Sequence, residues 1–242
     1  MARAAFRFHD ELGAFLASAR RERSFEHDCA RAATLKHAIE SLGVPHTEVG
    51  RLIVNSVPAT LARLVRAGDA VEVFPHRPIH GSGDARPAFV ADAHLGRLAR
   101  LLRMVGFDTL YDNHYSDTVI LETSARERRV ILTRDRELLK CREVLRGGYV
   151  HARKPEDQLR EVAVRFDLKR QTRPFTLCLH CNLDLQPVDK AFVAERVPQR
   201  IALQYSTFRR CAGCERIFWQ GTHWARMRDM LNTALDVPAT VC

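Results

Sequence analysis

The sequence predicts an α/β protein built on a parallel sheet, with a small mixed-sheet module in front and a cysteine-stapled segment behind. Three observations carry that expectation. Between residues 88 and 136, short apolar runs at 88–91, 109–111 and 130–132 alternate with helical patterns. The first helical pattern is the stripe Leu95, Leu98, Leu102 and Val105, spaced by three or four residues. Strand, helix, strand, helix, strand is the order of a parallel sheet with right-handed crossovers. Residues 1–75 order two short β runs, a helix and three more β runs, the succession of a β-grasp module. Finally, Cys178-x-x-Cys181 and Cys211-x-x-Cys214 are two knuckles suited to one tetrahedral metal site.

Taken in order, residues 4–8 and 24–28 read as strands around an arginine-rich turn. Thr34 is an N-cap for a helix carrying Leu35, Ala38, Ile39 and Leu42, stopped by Gly43 and Pro45. Residues 51–54, 57–61 and 70–74 are further strands, the last introduced by the turn Ala67-Gly68-Asp69. The stretch 66–75 is similar to the last strand of ubiquitin-like sulfur carriers. The chain runs on through Pro75-His76-Arg77-Pro78, however, where a carrier needs a free terminal Gly-Gly. Sulfur transfer is therefore not expected; the module, residues 1–76, reads as a structural or docking domain for another protein. Residues 77–87, rich in proline, glycine and serine, read as a linker, which predicts a front domain dispensable for chemistry.

The α/β unit occupies residues 88–171. After the strand at 130–132 a helix is expected over 136–145, then a turn at Gly147-Gly148, a strand at 149–151 and a helix opened by Pro155. Ligands bind such sheets outside the carboxyl ends of the strands. Asp92, Asp112 and Asp135 stand at three of those ends, and Asp117 at a helix start after Ser116. Carboxylates gathered there repel one another unless a cation is present, and a hard divalent ion such as Mg²⁺ or Mn²⁺ prefers oxygen ligands. Each aspartate taken alone also reads as a helix cap or a solvated loop residue.

The residues 89–103 (Phe89-Val90-Ala91-Asp92-Ala93-His94-Leu95-Gly96-Arg97 onward), then Gly106-Phe107-Asp108-Thr109 and Leu132-Thr133-Arg134-Asp135, resemble the Mut-seven C-terminal RNase family. The resemblance implies a PIN-like parallel sheet with flanking helices, an N-terminal β-grasp ubiquitin-like domain and a C-terminal zinc ribbon. It also implies a Mg- or Mn-dependent ribonuclease whose acidic metal site maps onto Asp92, Asp117 and Asp135. Thr133 then hydrogen-bonds the attacking water or the Asp92 carboxylate. The RNA partner, among them tRNA, rRNA or the ribosome, rests on this resemblance alone. Glu156 and Asp157 are the acidic residues after the last strand, where PIN enzymes place a fourth carboxylate. Arg97, Arg100 and Arg103 recur beside the first aspartate and Arg134 precedes the last, a set for positioning phosphates or, alternatively, a solvated face. A non-catalytic RNA- or ribosome-binding protein on the same fold is the rival reading.

In residues 172–242 the knuckles are 29 residues apart, against about 15 to 20 in common sites, so a hairpin insertion is expected over 184–200. Four thiolates leave no open position, which makes the zinc structural and worth on the order of 10 kcal/mol to folding. Thr222 opens a last helix with Trp224, Met227, Leu231 and Ala234 on one face. Aromatic residues beside arginines (Phe208, Arg209, Arg210, Arg216) either pack within the ribbon or stack on RNA. The 38 basic against 29 acidic residues leave +9, which suits a polyanionic partner. There is no apolar run of about 18 residues to span a membrane, and seven cysteines, mostly in metal knuckles, fit a reducing cytoplasm.

Overall fold

A computed structural model describes residues 2–77 and 86–235. The chain divides into two compact units. One joins the front module to Ser116–Tyr149; the other joins the strand-helix-strand before Ser116 to the chain from Val150 onward.

In the first unit, β1 (Ala2–Phe8) and β2 (Phe25–Cys29) form an antiparallel hairpin. α1 (Leu35–Ser41) follows, then β3 (Val49–Val54), β4 (Val57–Ala59) and β5 (Ala70–Pro75). The sheet order is β2-β1-β5-β3-β4, with β5 parallel to β1 and antiparallel to β3. That is the β-grasp arrangement, and α1 starts where expected, the Thr34 Oγ1 accepting the His37 N–H at 3.2 Å. Leu35, Ala38 and Ile39 of α1 are buried against Phe6, Phe8, Leu52, Val71 and Val73 from the sheet.

The second unit starts with β6 (Phe89–Ala91), α2 (Gly96–Met104) and β7 (Thr109–Tyr111), with β6 and β7 parallel. The stripe Leu95, Leu98, Leu102 and Val105 is fully buried. Back in the first unit, α3 (Asp117–Glu127) is capped by Ser116 Oγ, and β8 (Val130–Thr133), α4 (Arg136–Lys140) and β9 (Gly147–Tyr149) follow. β8 and β9 are again parallel. The α/β class read from the sequence holds, with two local corrections. α4 ends at Lys140, not 145, because Cys141 turns to an extended conformation. β9 starts at Gly147, two residues before the expected strand. Gly147 is a close-packed strand position: a Cβ there would meet Leu139 Cδ2 at 2.6 Å.

α5 (Pro155–Arg165) opens on its proline, and Glu161 at its middle binds back to the loop after β9. The ribbon is a three-stranded antiparallel sheet of β10 (Leu185–Val188), β11 (Phe208–Cys211) and β12 (Ile217–Trp219). The long spacing between knuckles is filled not by a hairpin but by two short helices between β10 and β11, α6 (Lys190–Val193) and α7 (Gln199–Gln204). α8 (Thr222–Leu235) closes the described chain, with Leu231 and Ala234 buried.

The front module is not an appendage. Arg136 of α4 donates to the Phe15 carbonyl (3.1 Å) and lies over the Phe15 ring at 5.0 Å, while Phe15 meets Tyr149 edge-on at 5.1 Å. The Tyr149 N–H donates to Glu48 Oε1 at 2.8 Å, and His46 Nε2 donates to the Val144 carbonyl at 2.8 Å. The linker composition therefore does not mark a structurally separate front module, which packs onto Ser116–Tyr149. Glu48 is 2% exposed, so Glu48→Ala removes the buried acceptor of the half-buried Tyr149 N–H. The expected cost is about 1–3 kcal/mol in denaturant unfolding, and Glu48→Gln recovers most of it.

A second expectation concerns pH. Asp69, 3% exposed, accepts from both guanidinium nitrogens of Arg63 (2.7 and 3.0 Å), the Arg66 N–H and Asn55. The Arg63 hydrogen bonds outweigh burial and hold its carboxyl at about 2, below the ordinary 3.8. A lowered folded value stabilises above the unfolded one and is lost as pH falls through the folded one. Asp69→Asn should therefore lower unfolding free energy by about 2 kcal/mol at neutral pH, a deficit that shrinks between pH 4 and 2. An equal deficit at pH 2 and pH 7 would refute this linkage.

Candidate functional site

β6 ends at Ala91, and Asp92 follows as a half-buried residue leading into a 3-10 turn, Ala93–Leu95. Its backbone carbonyl accepts the Leu95 N–H at 2.8 Å, but its carboxylate caps no helix. Gly96 opens α2 because the Tyr111 ring lies where a Cβ would sit, 2.5 Å from Cζ, with the Tyr111 hydroxyl donating to the Ala93 carbonyl. The Asp92 loop is thus held by β7 as well as by its own helix.

In the other unit, Asp117 is exposed in the first turn of α3, and Ser116, not Asp117, supplies the cap. Asp135 is exposed and accepts the Glu137 N–H at 2.7 Å with one carboxylate oxygen, capping α4. Thr133 is fully buried, and its Oγ1 accepts the Asp135 N–H at 2.9 Å, which fixes the loop that presents Asp135. Arg134 lies half-buried between them. Asp117 and Asp135 share a neighbourhood: the Cys141 thiol is pushed up by its burial and then by the carboxylates of Glu143, Asp117, Asp135 and Glu137. They are not gathered to ligating distance, however: among the described residues only the four knuckle cysteines form a group of three or more possible metal ligands. Asp112 folds back on its own loop, accepting from the His114 N–H and ring, and is held below the usual carboxylate range by those bonds.

Of the acidic residues after the last strand, Glu156 is exposed and Asp157 pairs with Arg160 at 2.6 Å. The residue that sequence reading passed over is Glu161. Its two oxygens accept the N–H groups of His151 and Ala152, both at 2.9 Å, clamping the segment after β9. A glutamate in the middle of a helix carries no sequence mark of that role.

Arg97 and Arg100 are exposed on α2, but Arg103 is not; it is 5% exposed. Each three-residue step falls about 60° short of a full turn, so six residues swing the side chain by about 120°. Arg103 donates to the carbonyls of Thr109 (2.8 Å), Leu179 (3.2 Å) and His180 (2.9 Å), tying α2 to the first knuckle instead of reaching for phosphate. Beside it, Asn182 accepts the Thr109 N–H at 3.0 Å and donates to Asp108.

The knuckles bring Cys178, Cys181, Cys211 and Cys214 together, all four sulfurs within 4.8 Å of one another. Cys178 and Cys214 Sγ lie 3.7 Å apart, close to the edge of about 3.8 Å that a tetrahedron with Zn–S bonds of about 2.3 Å requires. Burial raises Cys178, and burial with the neighbouring thiols pushes Cys181 up to about 12. At Cys211 burial acts the same way but is outweighed by the Cys214 and Gly213 N–H groups, leaving it at about 7. The donor set fits a closed structural zinc site.

A β-grasp module, parallel strand-helix-strand elements and a four-cysteine ribbon follow one another along the chain. The chain belongs to the Mut7-C RNAse domain family, whose model matches residues 87–231, and the Mut7-C ubiquitin model matches residues 1–79. Two crystal structures of small archaeal modifier protein 1 from Haloferax volcanii are similar at 19% identity. They cover 31% and 34% of this chain and 98% and 100% of the archaeal one, with TM-scores of 0.25 and 0.26. No curated protein matches the chain. No helix among the described residues is long and apolar enough to cross a membrane.

One zinc per chain is expected in the purified protein. Elemental analysis of Cys211→Ser should show that zinc lost, together with a lower melting temperature. Undiminished zinc in that variant would remove the assignment.

Proposed function

We propose that this chain is a metal-dependent ribonuclease that hydrolyses RNA phosphodiester bonds in the cytoplasm, using Asp92, Asp117 and Asp135 to hold Mg²⁺ or Mn²⁺. The family match over residues 87–231 carries the ribonuclease reading. The aspartates support the rest. One directly follows β6, one opens α3 and one follows β8 by two residues, the strand-end positions at which α/β sheets bind ligands.

A divalent ion at these carboxylates supplies an activated water and offsets charge on the phosphate oxygens. Thr133 holds the Asp135 backbone, so the carboxylate keeps its position as charge develops nearby. Asp135 uses one oxygen as a cap and keeps the other for the site. Arg97, Arg100 and Arg134 position the RNA backbone, while Arg103 keeps α2 registered on the ribbon. The ubiquitin-like module supports Ser116–Tyr149 and serves as a docking domain for a further protein.

Asparagine caps helices about as well as aspartate, so Asp135→Asn removes charge while sparing α4. Asp92→Asn and Asp135→Asn should each lower Mn²⁺-dependent cleavage of RNA by about 100-fold or more. Mn²⁺ should raise the wild-type melting temperature by mass action, and raise it less in either variant. Asp229→Asn on α8 is the control; Asp108→Asn is unsuitable because Asp108 accepts from Asn182. Wild-type protein that binds RNA but cleaves none, with or without Mn²⁺, would overturn the proposal in favour of a non-catalytic RNA-binding protein.

A further inference from the structure

Within the second unit, a cleft of about 1640 Å³ opens between α2 and the zinc ribbon. It exceeds the roughly 300–1,000 Å³ that encloses a small molecule. Seven arginines line it against a single carboxylate, Asp112, which is already bonded to His114. Arg97 and Arg100 are exposed on the α2 wall; Arg200 and Arg216 are exposed on the ribbon wall. Aromatic rings are interleaved with them. A Cβ on Gly221 would lie 2.8 Å from Trp219 Nε1 and 3.6 Å from the Tyr205 hydroxyl, so these two half-buried rings meet at one point of the ribbon wall.

We propose that this cleft is a binding channel for single-stranded RNA, with the ribbon as its base-stacking wall and α2 as a phosphate-binding wall. The proposal rests on the ribonuclease reading above and extends it from a cutting site to the form of RNA that is held. Charge selects a polyanion, since the lining offers about one cation for every ring and almost no opposing carboxylate. Stacking selects a strand whose bases are free, because an A-form duplex keeps its bases paired and is met chiefly through its 2′-hydroxyls and phosphates. Arg103 and Asn182 make the channel a fixed one, since they bind α2 and β7 to the knuckle that supports the ribbon wall.

The test is fluorescence anisotropy of a labelled oligouridylate with the full zinc-loaded chain and no added Mg²⁺ or Mn²⁺, so that binding is read apart from cleavage. Trp219→Ala should weaken binding about tenfold or more with an unchanged salt slope. Trp219→Phe should recover most of the affinity. Arg100→Ala and Arg216→Ala should each flatten the plot of log affinity against log salt by about 0.7. Arg31→Glu on the front module should bind as the wild type does. Zinc content and melting temperature establish folding for each variant, and the arginine pair keeps the test decisive should Trp219→Ala misfold. Wild-type affinity and slope in the arginine variants would overturn the channel, even with metal-dependent cleavage intact. So would equal binding of a duplex, or displacement by polyglutamate as effective as by unlabelled RNA. The expected losses in the Trp219, Arg100 and Arg216 variants, without any cleavage under Mn²⁺, would leave the channel standing and remove the catalytic reading alone.

Discussion

A buried guanidinium organises the second unit. Taking a cation out of water costs several kcal/mol unless its donors are satisfied, and Arg103 meets that demand with three backbone carbonyls from two segments. Thr109 begins β7, while Leu179 and His180 lie between the knuckle cysteines. Four thiolates around a Zn²⁺ would carry a net charge of about −2, so with that ion bound the arginine would also face a negative centre. Burial lowers its proton affinity, and the Cys178, Asp108 and Cys181 charges oppose that. One guanidinium therefore joins helix, strand and ribbon: without Arg103 the knuckle loses its attachment to α2 and β7.

The first unit rests on a different kind of contact. The ubiquitin-like sheet has its own core of Phe6, Ile39 and Val73, yet it lends Phe15, His46 and Glu48 to the strand-helix-strand that presents Asp135. The Arg136 guanidinium lies over Phe15 and Tyr149 at 5.0 and 5.7 Å, a cation held between a front-module ring and a β9 ring. The module thus acts on the segment carrying Asp117 and Asp135 through packing.

Much of this was legible in the sequence where one period or one spacing determined the outcome. The 3.6-residue stripe located α2, Thr34 and Ser116 located two helix starts, and the paired Cys-x-x-Cys located the four-cysteine cluster. The misses have physical causes. Gly147-Gly148 carries a turn signal, but tight packing against Leu139 places it in a strand. An arginine every third residue looks like one face until the helical drift takes Arg103 into the interior. The roles of Glu48 and Glu161 depend on backbone N–H groups about 100 and 10 residues away, and no local pattern encodes such partners. Asp135 shows that two readings of a residue need not compete, since one oxygen caps α4 and leaves another.

The insertion between β10 and β11 separates two tasks that short ribbons combine. It leaves and rejoins the sheet at Val188 and Phe208, which are directly paired, so its length is decoupled from the geometry of the cysteines. Doubling such a loop costs only about 0.6 kcal/mol in closure entropy. Arg200 and Tyr205 sit on or beside this insertion and line the cleft, whereas the four sulfurs lie outside it. Ligand preference can therefore drift, or be redesigned, by rewriting residues 189–207 while the metal centre continues to fold the ribbon as before.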